Sequence, residues 1–267
     1  MKNLTKQTKN GFILLMIAAI VAIQFSACKK SCSEVTTEKV TITEKINGII
    51  IEGPWEVTIT QDSVDNSAEL EYCTCLKNKV SVKLLSNGYL HIKVTSWDWN
   101  NYCCKIFRAT VKATALETIE ASGAAGIRVY GNFGSLEKIT LSGASTVNGL
   151  SGEGTSAKIT ISGASTLRDF TFNGNSIDAE ISGASTFNGS GYVTHTNFIA
   201  SGASNIKTLN LESENLDIDL SGASEAQVTV NNTIKGRLSG ASTLKYKKAT
   251  DVSGVHVSGG SKMIKIN

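Results

Sequence analysis

The 267-residue sequence is short of several things, and each shortage narrows what it can be. It holds one proline, Pro54, so it is not a polyproline linker or a collagen-like rod. Aromatic residues make up only 6%, so a core has to be built mainly from branched aliphatic side chains. Neither charge sign dominates: 26 Lys and Arg face 23 Asp and Glu. No broad basic field invites nucleic acid, and none is expected as a partner. The longest apolar run, residues 12–23, is too short for an ordinary membrane span. Histidine occurs three times, at His91, His195 and His256, far apart in sequence. No Gly-x-Ser-x-Gly elbow is present, and no set of residues is assigned to catalysis, to a cofactor or to a metal.

What the chain does have starts with a targeting segment. Lys2, Lys6 and Lys9 precede the apolar run, and Phe25-Ser26-Ala27-Cys28 follows it. A basic start, a short apolar stretch and small residues make a signal peptide. The tetrapeptide resembles the lipobox of bacterial lipoproteins, with Phe25 where leucine is usual. That resemblance implies cleavage before Cys28 and acylation of its thiol. Several acyl chains anchor stably, because each buried methylene adds roughly 0.8 kcal/mol. The expectation is an exported protein tethered by lipid, in the outer membrane, with periplasmic or surface display left open.

The other cysteines are Cys32, Cys73, Cys75, Cys103 and Cys104. An exported compartment permits disulfides. Cys73 and Cys75 are two apart, on one face if they share a strand, and cross-pairing with Cys103 and Cys104 is the expectation. Neither spacing is that of a common zinc site.

Internal periodicity decides the architecture. Ser-Gly-Ala starts at Ser122, Ser142, Ser162, Ser182, Ser201, Ser221 and Ser239, and Ser-Gly-Gly-Ser starts at Ser258. The residue before each serine and the one two earlier are mostly apolar, as in Ile139-Thr140-Leu141 and Ile159-Thr160-Ile161. That alternation marks a half-buried strand. A second apolar column follows five residues after the serine, from Ile127 and Val147 to Met263. Each unit therefore reads as strand, small-residue corner, second strand and a turn such as Asn148-Gly149 or Asn188-Gly189. Units that cannot bury their apolar face alone do so by stacking. The expectation is an all-β, single-stranded β-helix, right-handed by analogy. At the corner, Gly allows positive φ, Ala is expected to fit a narrow space under the next coil, and Ser to bond its own turn or the next serine.

Residues 44–115 lack the tetrapeptide but read as strands, with Asn87-Gly88 as a hairpin turn. The expected organisation is a signal peptide over 1–27, a tether over 28–43, a β-rich part over 44–115 and the solenoid over 116–267. The run from Lys45 through Ile46-Asn47-Gly48 to Gly53, then Trp55-Glu56-Val57-Thr58-Ile59, Asn87-Gly88-Tyr89-Leu90 and Ile119-Glu120-Ala121-Ser122-Gly123-Ala124, resembles the head GIN domain (DUF2807-type) of autotransporter-adhesin-like bacterial lipoproteins. The resemblance spans about residues 44–250. It implies a β-helix-like fold, a cell-envelope location and no established enzymatic activity.

Function is less legible. The leading expectation is a non-enzymatic envelope adhesin or binding scaffold whose partner is the membrane through its lipid, and a glycan or an envelope protein through its surface. Outward charges recur along the stack: Lys138, Lys158, Asp178, Glu180, Asp217, Asp219, Lys235 and Arg237. Lys158 is expected to pair with Asp178, and Asp217 with Lys235. Trp97, Trp99 and Tyr102 offer an alternative, a carbohydrate-binding module that stacks rings on sugars, unless they cap the solenoid end. A polysaccharide-active β-helix enzyme would need the carboxylates Asp178, Glu180, Asp217 and Asp219 to converge.

Overall fold

A computed structural model describes residues 34–95 and 106–267. Nine strands build the first part: β1 (Val35–Ile42), β2 (Gly48–Gly53), β3 (Glu56–Gln61), β4 (Asn66–Cys73), β5 (Val80–Leu84), β6 (Tyr89–Val94), β7 (Phe107–Ala113), β8 (Thr118–Gly123) and β9 (Gly126–Tyr130). Eleven more follow to Lys265, and all twenty join one hydrogen-bonded sheet system. The fold is a β-solenoid, as the repeat requires.

Each rung has a first-face strand, a corner and a second-face strand. Parallel pairing sets like residues on like residues. On the first face Ile49, Ile119, Ile139, Ile159, Ala179, Phe198 and Ile218 stack in register, and all are buried. On the second face Val57, Ile127, Val147, Leu167, Phe187, Ile206, Ala226 and Leu244 do the same. Burial of such ladders is the main favourable term, at ~25 cal/mol per Å² of apolar surface.

The corner is the part that the repeat specifies most tightly. The fourth residue points inward: Ser145, Ser165, Ser185, Ser204, Ser224 and Ser242 are buried. Ser145, Ser204 and Ser224 Oγ donate to the carbonyl three residues earlier, at 2.9, 2.7 and 2.7 Å. Ser242 Oγ lies 3.2 Å from Ser261 Oγ in the next rung. The glycines all have φ between 66° and 82°, and each alanine N–H donates to the glycine carbonyl of the preceding rung, as Ala223 does to Gly202 at 2.8 Å. The alanines are exposed, which corrects the expectation that they fill a narrow space. The residue with no room is the glycine, because its missing side chain would meet the backbone of the rung before.

The repeats vary between 18 and 20 residues, yet both faces stay in register. Bulges between the faces take up the difference. One is at Asp169, whose φ is +48°, where pairing shifts between Leu167 and Phe170. Another lies between Asn188 and Ser190, so Asn188-Gly189 is not a turn but runs inside the strand Thr186–Ala200. Asn148-Gly149 does turn, with Gly149 at φ +78°.

The N-terminal part departs from the expected division. β2 and β3 form a rung that pairs with β8 and β9 on one side and with β6 and β7 on the other. The chain thus builds one rung, adds another on its far side, then returns to grow the stack the other way. No boundary falls near 116. Residues 35–42 are not a tether, since β1 pairs antiparallel with β4 along its full length, and β4 pairs antiparallel with β7. β5 pairs antiparallel with β6. These antiparallel strands cover the edges that the solenoid would expose at this end.

The rung of β2 and β3 also carries a disguised repeat. Glu52 and Gly53 align with Ser122 and Gly123, so Glu52-Gly53-Pro54-Trp55 stands where Ser-Gly-Ala-Ser stands elsewhere. Trp55 takes the buried serine slot and meets Phe107 edge-on, with ring centroids 5.4 Å apart. A large ring suits this slot, because it packs against Phe107 of the β6–β7 rung where a serine would leave a gap in the core.

Tyr72 fastens β1 to β4, its buried hydroxyl donating to Glu38 Oε2 at 2.7 Å. Burial, then the bond to Glu38, pushes its phenol up to about 12. The raised folded value means that the stabilisation is whole below the unfolded value near 10 and is lost as pH rises toward 12. Tyrosine absorbance during alkaline titration is expected to show one late step near 12 that vanishes in Tyr72→Phe. That variant should lose about 1.5 kcal/mol at neutral pH, the scale of one hydrogen bond to a charged group. An unchanged titration curve would refute this.

Candidate functional site

The expected site residues fall into two groups. Cys28, Trp97, Trp99, Tyr102, Cys103 and Cys104 lie outside the described residues. Cys73 and Cys75 are described, and both are disulfide-bonded. They do not share a strand face: Cys73 ends β4 and is buried, while Cys75 sits in the 3-10 turn Thr74–Leu76 and is exposed. The turn rotates the chain between them, which breaks the two-residue alternation. The Cys73 sulfur lies 4.0 Å from the Ile106 carbonyl oxygen.

The outward side of the first face carries the charge ladder. Asp217 Oδ1 pairs with Lys235 at 3.2 Å, as its spacing implies, and Lys138 pairs with Glu120 at 2.6 Å. Lys158 aligns with Asp178 but makes no ion pair; Asn197 Nδ2 instead donates to Asp178 at 3.3 Å. His195 lies within the strand Thr186–Ala200, and its Nε2 is 3.0 Å from Asp217 Oδ2. His91 Nε2 lies 3.0 Å from Glu52 Oε1 in the neighbouring rung. A depression of about 340 Å³ runs past Asp217, Asp219, Lys235, Arg237 and His256, at the small end of ligand clefts. Asp178 and Asp217 are two rungs apart, with Asn197 between them. Rung spacing therefore separates their backbones by about 10 Å. Asp217 is held by both Lys235 and His195. Among the described residues, no group of three or more His, Cys, Asp or Glu is placed to hold a metal ion.

The outward side of the second face differs. One column, six residues beyond the repeat serine, reads Arg128, Asn148, Arg168, Asn188, Lys207, Gln227, Lys245. Register puts Arg128 beside Asn148, Asn148 beside Arg168, Asn188 beside Lys207, Lys207 beside Gln227 and Gln227 beside Lys245. Cations alternate with amides. Arg128, Arg168 and Lys207 stand exposed, while Asn148, Asn188 and Gln227 are half-buried. Lys245 is taken by Glu225 at 2.8 Å. The Asn148 Oδ1 is buried and has no hydrogen-bond donor, which costs about 1–3 kcal/mol. A depression of about 300 Å³ is lined there by Glu56, Arg128, Thr146, Asn148 and Arg168. Sequence reading missed this column because it looked for charges only on the strand before the corner. The signal was present, at a constant offset from the serine.

The family profile described as "Putative auto-transporter adhesin, head GIN domain" matches residues 45–249. The chain belongs to this family. Solved structures agree on the fold. A structure titled a putative adhesin from Parabacteroides merdae superposes with a TM-score of 0.77 at 16% identity, covering 90% of this chain and 100% of the other. One titled a putative lipid binding protein from Parabacteroides distasonis gives 0.70 at 13% identity, covering 89% and 99%. One titled a putative adhesin from Bacteroides fragilis gives 0.66 at 14%, covering 89% and 100%. No functionally curated protein matches the sequence. In this head GIN domain, no helix among the described residues is long and apolar enough to cross a membrane.

Proposed function

We propose that this protein is a non-catalytic binding protein of the bacterial envelope, held to the outer membrane by lipid on Cys28 and presenting its solenoid to a polymer or partner. The observation that carries the reading is the second-face column, side chains at a constant offset from each corner, stacked in register on either side of the bulge at Asp169. A surface built by repetition suits a repeating ligand, since the same kind of contact returns every second rung at the same offset. Membership of an adhesin family supports the same reading, and so do the adhesin titles of the similar structures.

The deciding experiment is an array of glycans and envelope polymers probed with the full chain in mild detergent, with substrate turnover scored in parallel. Saturable binding without turnover is expected. Turnover of any polymer would overturn the non-catalytic reading and return attention to Asp178, Glu180, Asp217 and Asp219. Silence across the array would leave the binding role without support.

Lipid attachment has its own test. In cells fed a labelled fatty acid, the wild-type chain is expected to carry label and to pellet with membranes. Cys28→Ser should lose the label, because that single thiol is the attachment point. Label retained in Cys28→Ser would refute the assignment.

A further inference from the structure

We infer that the second face binds a linear acidic polysaccharide carrying one carboxylate per disaccharide, along the column Arg128, Asn148, Arg168, Asn188, Lys207. The inference rests on reading the protein as an envelope binding protein and names the class of its ligand.

The spacing comes first. Strands in neighbouring rungs lie about 4.8 Å apart, so cations two rungs apart recur about every 10 Å. An extended polysaccharide advances about one disaccharide over that distance. Other linear polyanions fit less well. A nucleic-acid strand places a charge roughly every 3.4 Å. An extended peptide returns a side chain to the same side about every 6.6 Å. Three cations over about 20 Å thus count out successive disaccharides.

The chemistry between the charges comes second. Asn148 and Asn188 stand level with the neutral part of each repeat, and amides both donate to and accept from hydroxyl groups. Thr146, Thr166 and Thr186 line the adjacent outward column, in register across the rungs. The buried Asn148 Oδ1, still without a donor, lies between the two arginines. When a carboxylate draws either arginine outward, a sugar hydroxyl can supply the missing bond.

The surrounding charges come third. Arg128, Arg168 and Lys207 have no ion-pair partner within 4 Å among the described residues. Two acidic groups stand at the ends of the stretch and one, Asp169, stands within it. Glu56 at one end is matched with Arg108 at 3.7 Å, and Glu225 at the other with Lys245. Asp169 projects from the bulge beside Arg168 and is exposed.

The test uses the full chain in mild detergent at low ionic strength, with hyaluronan oligosaccharides as probe. Calorimetry is expected to show affinity rising with length until three carboxylates are engaged, then levelling. The triple variant Arg128→Gln, Arg168→Gln, Lys207→Gln should weaken binding by about tenfold, since exposed ion pairs contribute under about 1 kcal/mol each. A control with the same charge loss elsewhere, Lys77→Gln, Lys83→Gln, Lys158→Gln, should bind as wild type. All six positions are exposed, and matched melting curves establish that each variant folds. Equal weakening in both triples, or equal affinity for polygalacturonate with its carboxylate on every sugar, would reduce the column to a diffuse positive surface and overturn the inference. Binding of neutral glycans only, unaffected by the triple variant, would also overturn it while leaving the binding-protein reading intact. No binding to any polymer would overturn both.

Discussion

Gly222→Ala should destabilise the solenoid by about 3 kcal/mol, although it adds a single methyl group at an exposed corner. Gly222 has φ +69°, and an added Cβ would lie 2.6 Å from the Gly202 carbonyl oxygen and 3.0 Å from its nitrogen. Left-handed backbone alone costs a non-glycine residue roughly 1–2 kcal/mol. The obstructing atoms are backbone, and that carbonyl already accepts the Ala223 N–H at 2.8 Å. The rungs must therefore separate at the corner and weaken that ladder bond. Gly134→Ala is the matched control. Its added Cβ meets nothing within 4 Å and its φ is not in the left-handed region. It should be neutral or stabilise by up to about 1 kcal/mol through the unfolded chain. Urea denaturation followed by circular dichroism compares the two. Equal shifts would refute the claim that the corner is sterically closed.

Phe187→Ala should cost about 3–5 kcal/mol, the range for removing a buried aromatic ring. Phe187 is fully buried, and its ring lies 5.9 Å from Phe170 and 6.0 Å from Phe198. These rings gather where the first-face ladder holds the small Ala179, so they fill space that a smaller column would leave empty. Phe187→Leu should cost less, about 1–2 kcal/mol, because its neighbours in the column are Leu167 and Ile206. Val64→Ala, at a residue 77% exposed, should change stability by under about 0.5 kcal/mol. A Phe187→Ala loss as small as that of Val64→Ala would mean that the rung yields without a cavity.

Both expectations follow from features that differ in how openly the sequence shows them. The corner could be read directly, because Ser-Gly-Ala recurs with apolar columns on either side. The role of its alanine could not. Whether a small residue is small for lack of space or merely faces solvent depends on the neighbouring rung. The disguised first repeat, Glu52-Gly53-Pro54-Trp55, kept only its glycine. This rung faces the aromatic Phe107 of β7 where later rungs face another serine corner, so its slot holds a ring instead of a turn-capping hydroxyl while its backbone keeps the place.

The candidate site was legible in the same uneven way. The first-face charges were visible, and one of the two expected pairs forms. Lys158 and Asp178 align without pairing, since register fixes backbones and leaves long side chains to choose. His195 meets Asp217 because it lies on a strand.

By itself, the sequence determined the β-solenoid, its two-faced rungs and its glycine corners, because those depend on alternation and spacing that a single chain displays. Only the tertiary structure decided that β6 and β7 join the stack on the far side of β2 and β3, and that β1 and β4 close the end. It also decided that Arg128, Asn148 and Arg168 align in one register, and that Asn188, Lys207 and Gln227 align in another beyond the bulge at Asp169. Contacts between residues about 20 to 70 positions apart depend on which rung lies on which. That order is settled by edge closure and by bulges that absorb uneven repeat lengths, not by any local pattern.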